Sequence, residues 1–187
     1  MIRLKKYLKM LDFEEDDLEK ILNSFTLQVF EKNDFFVKEN KINKHLGFVE
    51  TGLFQYYVLK EGQIRTTYIS TENSFMVSRL SFVNETPASE NIRALTNGSV
   101  NIITKTNLKK LINEIPRFKD FYIGLLEKSI CSIDANRHDL ILLSGEQRYK
   151  KMLKENPQLI QQIPLQHLAS MLGVTPRHLS RIRNNTR

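Results

Sequence analysis

The stretch Leu165-Gln166-His167-Leu168-Ala169-Ser170-Met171-Leu172-Gly173-Val174-Thr175-Pro176-Arg177-His178-Leu179-Ser180-Arg181-Ile182-Arg183-Asn184 decides the reading of the whole chain. Two short helices that cross at a sharp turn need a small residue where they touch, and Ala169 is the fifth of these twenty positions. They also need a residue that accepts positive φ at the turn, and Gly173 is the ninth. Leu168, Leu172, Val174, Leu179 and Ile182 fall where apolar groups must hold the second helix on the first. Thr175 is placed to cap the second helix, and Pro176 suits its first turn, where a missing N–H leaves nothing unsatisfied. The segment predicts a helix-turn-helix with Ala169, Gly173, Leu179 and Ile182 as structural positions. A two-helix hairpin closing a bundle shares part of this pattern, so the charge has to separate the two.

The chain has 187 residues and a formal net charge of +7. Residues 1–144 hold 20 basic and 19 acidic side chains, a net of +1. Residues 145–187 hold Arg148, Lys150, Lys151, Lys154, Arg177, Arg181, Arg183 and Arg187 against Glu146 and Glu155, a net of +6. A basic segment on a neutral one points to a polyanion, nucleic acid ahead of an anionic membrane. Membrane binding needs exposed apolar bulk on a helix, and the motif consumes its apolar positions. The outer face of the second helix offers Arg177, His178, Ser180, Arg181 and Asn184, with Arg177 and Arg181 four apart and so on one side. An arginine fork can hold guanine O6 and N7 in the major groove, and Thr175 or Ser180 can serve phosphate or base edges. Lys150, Lys151 and Arg183 are expected on phosphates.

Upstream, residues 1–24 read as two short helices, and residues 26–104 change character. Runs rich in β-branched and aromatic residues appear at 27–30, 35–37, 46–50, 53–59, 64–70, 74–77, 92–94 and 99–103, with Asn33-Asp34, Thr51-Gly52, Glu61-Gly62 and Asn97-Gly98 among the turn signals between them. Short strands without intervening helices predict an antiparallel sandwich, roll or barrel. Helical spacing returns near Leu108, with Ile115-Pro116 as a stop and restart. Ile123, Leu126, Ile130, Ile133 and Leu140 then recur at 3–4 spacing, broken by Arg137. This stripe serves either to pack on the chain's own β domain or to form a dimer seam; Phe118, Tyr122 and Leu125 make a second apolar set that leaves the first available to a partner.

Other chemistries are poorly supplied. Cys131 is the single cysteine, too few for an internal disulfide, an iron–sulfur cluster or a multi-cysteine zinc site. No nucleophile elbow, phosphate-binding glycine loop or metal-ligand spacing appears, so no enzyme and no cofactor are expected. His45 reads as a solvent-facing histidine. With no signal-peptide core and no apolar run of membrane length, a cytoplasmic location is expected.

A β-rich domain, a long striped helix and a C-terminal helix-turn-helix in this order resemble the Crp/Fnr family of bacterial transcriptional regulators. Residues 163–183 carry most of the likeness, and Phe48-Val49-Glu50-Thr51-Gly52 is similar to the family's roll opening. The resemblance implies an α+β fold: an N-terminal double-stranded β-helix, the jelly-roll of cyclic-nucleotide-binding domains, over 1–115; a dimerisation helix over 116–144; and an all-α helix-turn-helix domain over 145–187. It implies a homodimer on double-stranded DNA, with RNA polymerase as a further partner and a small-molecule effector whose identity is open. The chain departs from the family's cyclic-nucleotide motifs. Aligned without gaps, Phe75-Met76-Val77-Ser78 stands where the ribose-binding Gly-Glu belongs, and Ala88-Ser89 stands where the phosphate-binding Arg pair belongs. A cyclic phosphate would then lack its cation, so cyclic AMP is not expected as the effector. Arg79, Ser89 and Arg93 are the nearest candidates for a displaced effector site. The alternative function is a ligand-sensing or protein-docking roll whose helix-turn-helix reads no DNA. The chain stops soon after the second motif helix, so a β-wing beyond it is not expected.

Overall fold

A computed structural model describes residues 1–185; Arg187, one of the basic residues counted above, lies outside them. Two amphipathic helices open the chain, α1 (Ile2–Lys9) and α2 (Glu15–Asn23). Eight strands follow: β1 (Thr26–Phe30), β2 (Phe35–Val37), β3 (His45–Thr51), β4 (Phe54–Lys60), β5 (Gln63–Ser70), β6 (Phe75–Met76), β7 (Asn91–Ala94) and β8 (Gly98–Thr104). They form two four-stranded antiparallel sheets, ordered β1-β8-β3-β6 and β2-β7-β4-β5. The expected turns carry the backbone they require. Glu61 and Gly62 adopt φ of 53° and 74° in the β4–β5 hairpin, the twist that suits a two-residue connection, and Asn33 and Gly52 are also left-handed.

Strand alternation sends Phe54, Tyr56, Ile92 and Ala94 of one sheet to meet Val49 and Val100 of the other, with Phe30, Val37, Met76 and Ala88 completing the buried interior. A second core lies on the far side of the β3–β8 sheet. There Leu46, Phe48 and Ile103 meet Leu4 and Leu8 of α1, Leu18 and Ile21 of α2, and Leu108 and Leu111 of α4 (Lys105–Glu114). The residue Glu50 ties α1 down, its carboxylate accepting the Arg3 and Leu4 N–H groups at 2.9 and 2.8 Å and the Asn101 side-chain amide at 2.6 Å. A helix that the sequence did not announce, α3 (Arg79–Asn84), is inserted between β6 and β7.

The long helix α5 (Pro116–Leu142) starts at the expected proline. Its first turns add Phe118, Phe121 and Tyr122 to the helical core. Beyond them the helix leaves its own chain: Ile123, Leu126, Ile130, Ile133 and Leu140 are 42–66 % exposed. Of the two uses foreseen for that stripe, packing on the chain's own β domain does not occur. Ser144 then caps α6 (Gly145–Glu155) through a capping box with Gln147. Among the described residues no helix is long and apolar enough to cross a membrane.

Candidate nucleic-acid interface

Four short helices build the C-terminal unit: α6, α7 (Pro157–Gln162), α8 (Leu165–Met171) and α9 (Pro176–Asn185). Of the side chains assigned to hold α8 and α9 together, Leu168, Ala169 and Leu179 have no exposed surface, Leu172 and Ile182 have little, and Val174 is half-buried. At Ala169 a larger side chain would push the helices apart. Gly173 has φ +67°, the left-handed conformation that ends α8, and the Val174 N–H returns to the Ala169 carbonyl at 2.9 Å. Thr175 Oγ1 accepts the His178 N–H at 3.1 Å, capping α9 as its sequence predicts.

The outer face of α9 presents Arg177, Arg181 and Asn184 to solvent, with Thr175 and Pro176 exposed at its start and Ser180 half-buried. This surface holds no acid. The other cations are more engaged. Arg183 is half-buried and donates to the Ile160 carbonyl at 3.3 Å, fastening α9 to the end of α7. Lys151 pairs with Asp139 of α5 at 2.6 Å, and Lys150 with Glu146 at 2.7 Å. The Asp139 carboxylate also raises the Lys151 pKa.

Arg148 was counted in the sequence merely as a charge, yet it organises the unit. Its guanidinium donates to the Leu143 carbonyl at the end of α5 and to the Leu172 carbonyl at the end of α8. Two negative helix ends converge on one cation. The signal available in the sequence was its position four residues after the Ser144 cap, which turns it back toward the junction.

The three residues suggested for an effector site are not brought together. Ser89 is exposed. Arg79 begins α3 and helps lower the Glu90 pKa, though burial of that carboxyl prevails and leaves it raised. Arg93 lies on the outer face of the roll: Ile92 and Ala94 take the inner face, so by strand alternation Arg93 points outward. There it donates to Gln55 Oε1 at 3.0 Å and stacks over the Tyr57 ring at 5.1 Å. Inside the roll, the Tyr56 hydroxyl accepts the Val77 N–H at 3.0 Å, and burial raises its pKa. The imidazole of His45 is half-buried rather than solvent-facing, and burial and Lys44 hold its pKa below 6.5. Among the described residues no group of three or more histidine, cysteine or acidic side chains can hold a metal ion.

Residues 27–114 match the family model for the cyclic nucleotide-binding domain. No curated protein sequence matches the chain significantly. Solved structures share its architecture over nearly its whole length. FixK2 from Bradyrhizobium japonicum aligns with a TM-score of 0.74 at 14% identity, over 86% of this chain and 83% of that one. A CooA mutant from Carboxydothermus hydrogenoformans gives 0.71 at 17%, over 95% and 82%. A transcriptional regulator of the crp/fnr family from Eubacterium rectale gives 0.67 at 16%, over 93% and 83%. This is the Crp/Fnr fold. Within that fold the two sheets are the cyclic nucleotide-binding domain, α5 is the connecting helix and α8–α9 is the helix-turn-helix.

Proposed function

We propose that this Crp/Fnr-fold protein is a dimeric, sequence-specific DNA-binding transcriptional regulator not controlled by cyclic AMP. The observation that supports DNA reading best is the outer face of α9, where Arg177 and Arg181 stand exposed on one side of a helix whose other side is buried. Pairing of two chains along Ile123, Leu126, Ile130, Ile133 and Leu140 would cover an apolar stripe that its own chain leaves in water. Two reading heads would then enter successive major grooves about 34 Å apart on a pseudo-palindrome. Arg177 and Arg181 read bases, with Thr175, Ser180 and Asn184 assisting. Each proposed phosphate contact would have to share its cation, Lys150 with Glu146, Lys151 with Asp139 and Arg183 with the Ile160 carbonyl; Lys150 is the more exposed of the two lysines.

Against cyclic AMP, the interior face of the roll is lined by Phe54, Tyr56, Met76 and Ile92, all buried, and the outward Arg93 supplies no cation there. Selection of bound duplexes from random DNA tests the proposal. The expected result is an enriched two-fold symmetric site whose affinity falls steeply with salt and does not respond to cyclic AMP. Binding without sequence enrichment would refute the base-reading role, and a protein-bound, DNA-indifferent chain would favour the docking alternative.

A further inference from the structure

The helix-turn-helix unit is docked on the roll of its own chain through an apolar cluster, in which Leu53, Ile69 and Leu95 of the roll join Ile160, Ile163 and Leu168, and beside it through a polar contact on an outward sheet face that would ordinarily meet water. Gln55 and Thr66 belong to the outer faces of β4 and β5, yet they are 0 % and 4 % exposed, because α8 covers them. The Thr66 N–H donates to Ser170 Oγ of α8 at 2.9 Å. The Gln55 amide stands at the centre. Its oxygen accepts from Arg93, which fixes its orientation, so its nitrogen must be the donor toward Thr66 Oγ1 at 2.7 Å and toward His167 Nδ1 at 3.0 Å. Those two bonds use both amide hydrogens.

This donor order leaves one role for His167. Its Nδ1 must be a lone-pair acceptor, so the imidazole is neutral with its hydrogen on Nε2; the Gln166 amide nitrogen stands 3.3 Å from that atom, and this exposed amide has to turn its oxygen inward to accept the hydrogen. Protonation would aim an N–H at the Gln55 N–H. Turning the Gln55 amide offers no escape, since that would set its NH2 against the Arg93 guanidinium. The groups facing His167 are the Arg93 cation from β7, the neutral Gln55 from β4 and Thr66 from β5, and Gln166 on its own helix. No carboxylate stands among these groups to stabilise an imidazolium.

We propose that His167 is an acid-released latch, holding the helix-turn-helix against the cyclic nucleotide-binding domain while neutral and freeing it when protonated. This goes beyond DNA reading and does not depend on it. Burial, then Arg93, place the His167 pKa below 6.5 in the docked chain. The docked state is therefore fully favoured above the undocked pKa near 6.5 and loses that advantage as pH falls below it. The arrangement lets a loss of docking reach the reading head without passing through α5.

The Thr66 amide is the reporter, because its partner lies across the contact. Amide exchange on the full-length chain, corrected for intrinsic rates, is compared at about pH 7.5 and about pH 5.5. Thr66 protection is expected to fall several-fold in acid, while amides within the β3–β8 ladder keep theirs. In His167→Gln, neutral throughout, the fall disappears whether or not docking itself is weakened. In Ser170→Ala, which loosens the contact, the His167 pKa read by NMR should rise toward 6.5. Constant Thr66 protection in the native chain would overturn the proposal. So would an undiminished fall in His167→Gln, which would assign the effect to His45 or the carboxylates.

Discussion

Arg148 Nη2 donates to the carbonyl oxygen of Leu172 at 2.7 Å, while its other terminal nitrogen reaches the Leu143 carbonyl. One side chain thereby ties the end of the exposed helix α5 to the turn inside the helix-turn-helix. Lys151 and Asp139 add a second link across the same junction. The angle at which the C-terminal unit leaves α5 is thus held by charge on helix-end carbonyls, not by apolar packing alone.

Replacing Arg148 with Leu should destabilise the C-terminal unit by roughly 2–3 kcal/mol, the scale of charge-assisted hydrogen bonds whose acceptors are left behind. Urea unfolding of the full chain, followed by signals from that unit, measures it. A loss within about 0.5 kcal/mol would show that water replaces the guanidinium without penalty.

Arg181 and Arg183 sit two apart on α9 but have different surroundings, one exposed and one fastened to the Ile160 carbonyl. Arg181→Ala should cost about 1–3 kcal/mol on a selected site and much less on random duplex, with stability unchanged. Arg183→Ala should instead lower stability by about 1 kcal/mol. Equal losses on selected and random DNA for Arg181→Ala would reassign it to a phosphate.

Ile130 is 66 % exposed midway along the α5 stripe. A charge there should abolish pairing while leaving the monomer folded. Sedimentation of Ile130→Glu is expected to give a monomer, with an unaltered circular dichroism spectrum. A dimer persisting at the same concentration would place the subunit contact elsewhere.

Burial pushes the Glu50 pKa up, but the N–H groups of Leu4 and Arg3 and the Asn101 amide together bring it below the ordinary 4.5. A depressed folded value means that the carboxylate stabilises the protein above the unfolded pKa and that this is lost as pH falls through the folded one. Acid unfolding between about pH 5 and pH 3 should therefore be shallower in Glu50→Gln than in the native chain. Parallel pH profiles would show that the α1 tether lies outside the acid transition.

Gly173 has φ +67°, and a Cβ there would lie 3.3 Å from Arg148 Nη2. Gly173→Ala is expected to cost about 1–2 kcal/mol from the left-handed backbone, with any displacement of Arg148 in addition. Thermal unfolding would check it; an unchanged midpoint would mean that the turn relaxes out of the left-handed region.

All eight strands were foreshadowed by short β-branched and aromatic runs, because each strand's alternation and turn residues are local properties. The helix-turn-helix was equally legible, since Ala169, Gly173, Thr175 and Pro176 each answer a local steric or hydrogen-bonding demand. The helix α3 was hidden: Arg79–Asn84 has neither a capping side-chain bond nor enough length for periodicity to show. The outward position of Arg93 was not legible, because nearness in sequence to a family motif says nothing about which face of a strand a side chain takes.

Local chemistry written into the chain thus settled the elements, the turn at Gly173, the cap at Thr175 and the basic character of α9. Three-dimensional packing settled what those elements touch. It left the α5 stripe in water, drew Arg183 and Lys151 into bonds within the protein, and set His167 and Ser170 against Gln55 and Thr66, more than a hundred residues earlier. Periodicity and capping act over a few residues and can be read along the chain. The partner of a buried polar group is fixed by which surfaces close on each other, and no local pattern encodes that choice.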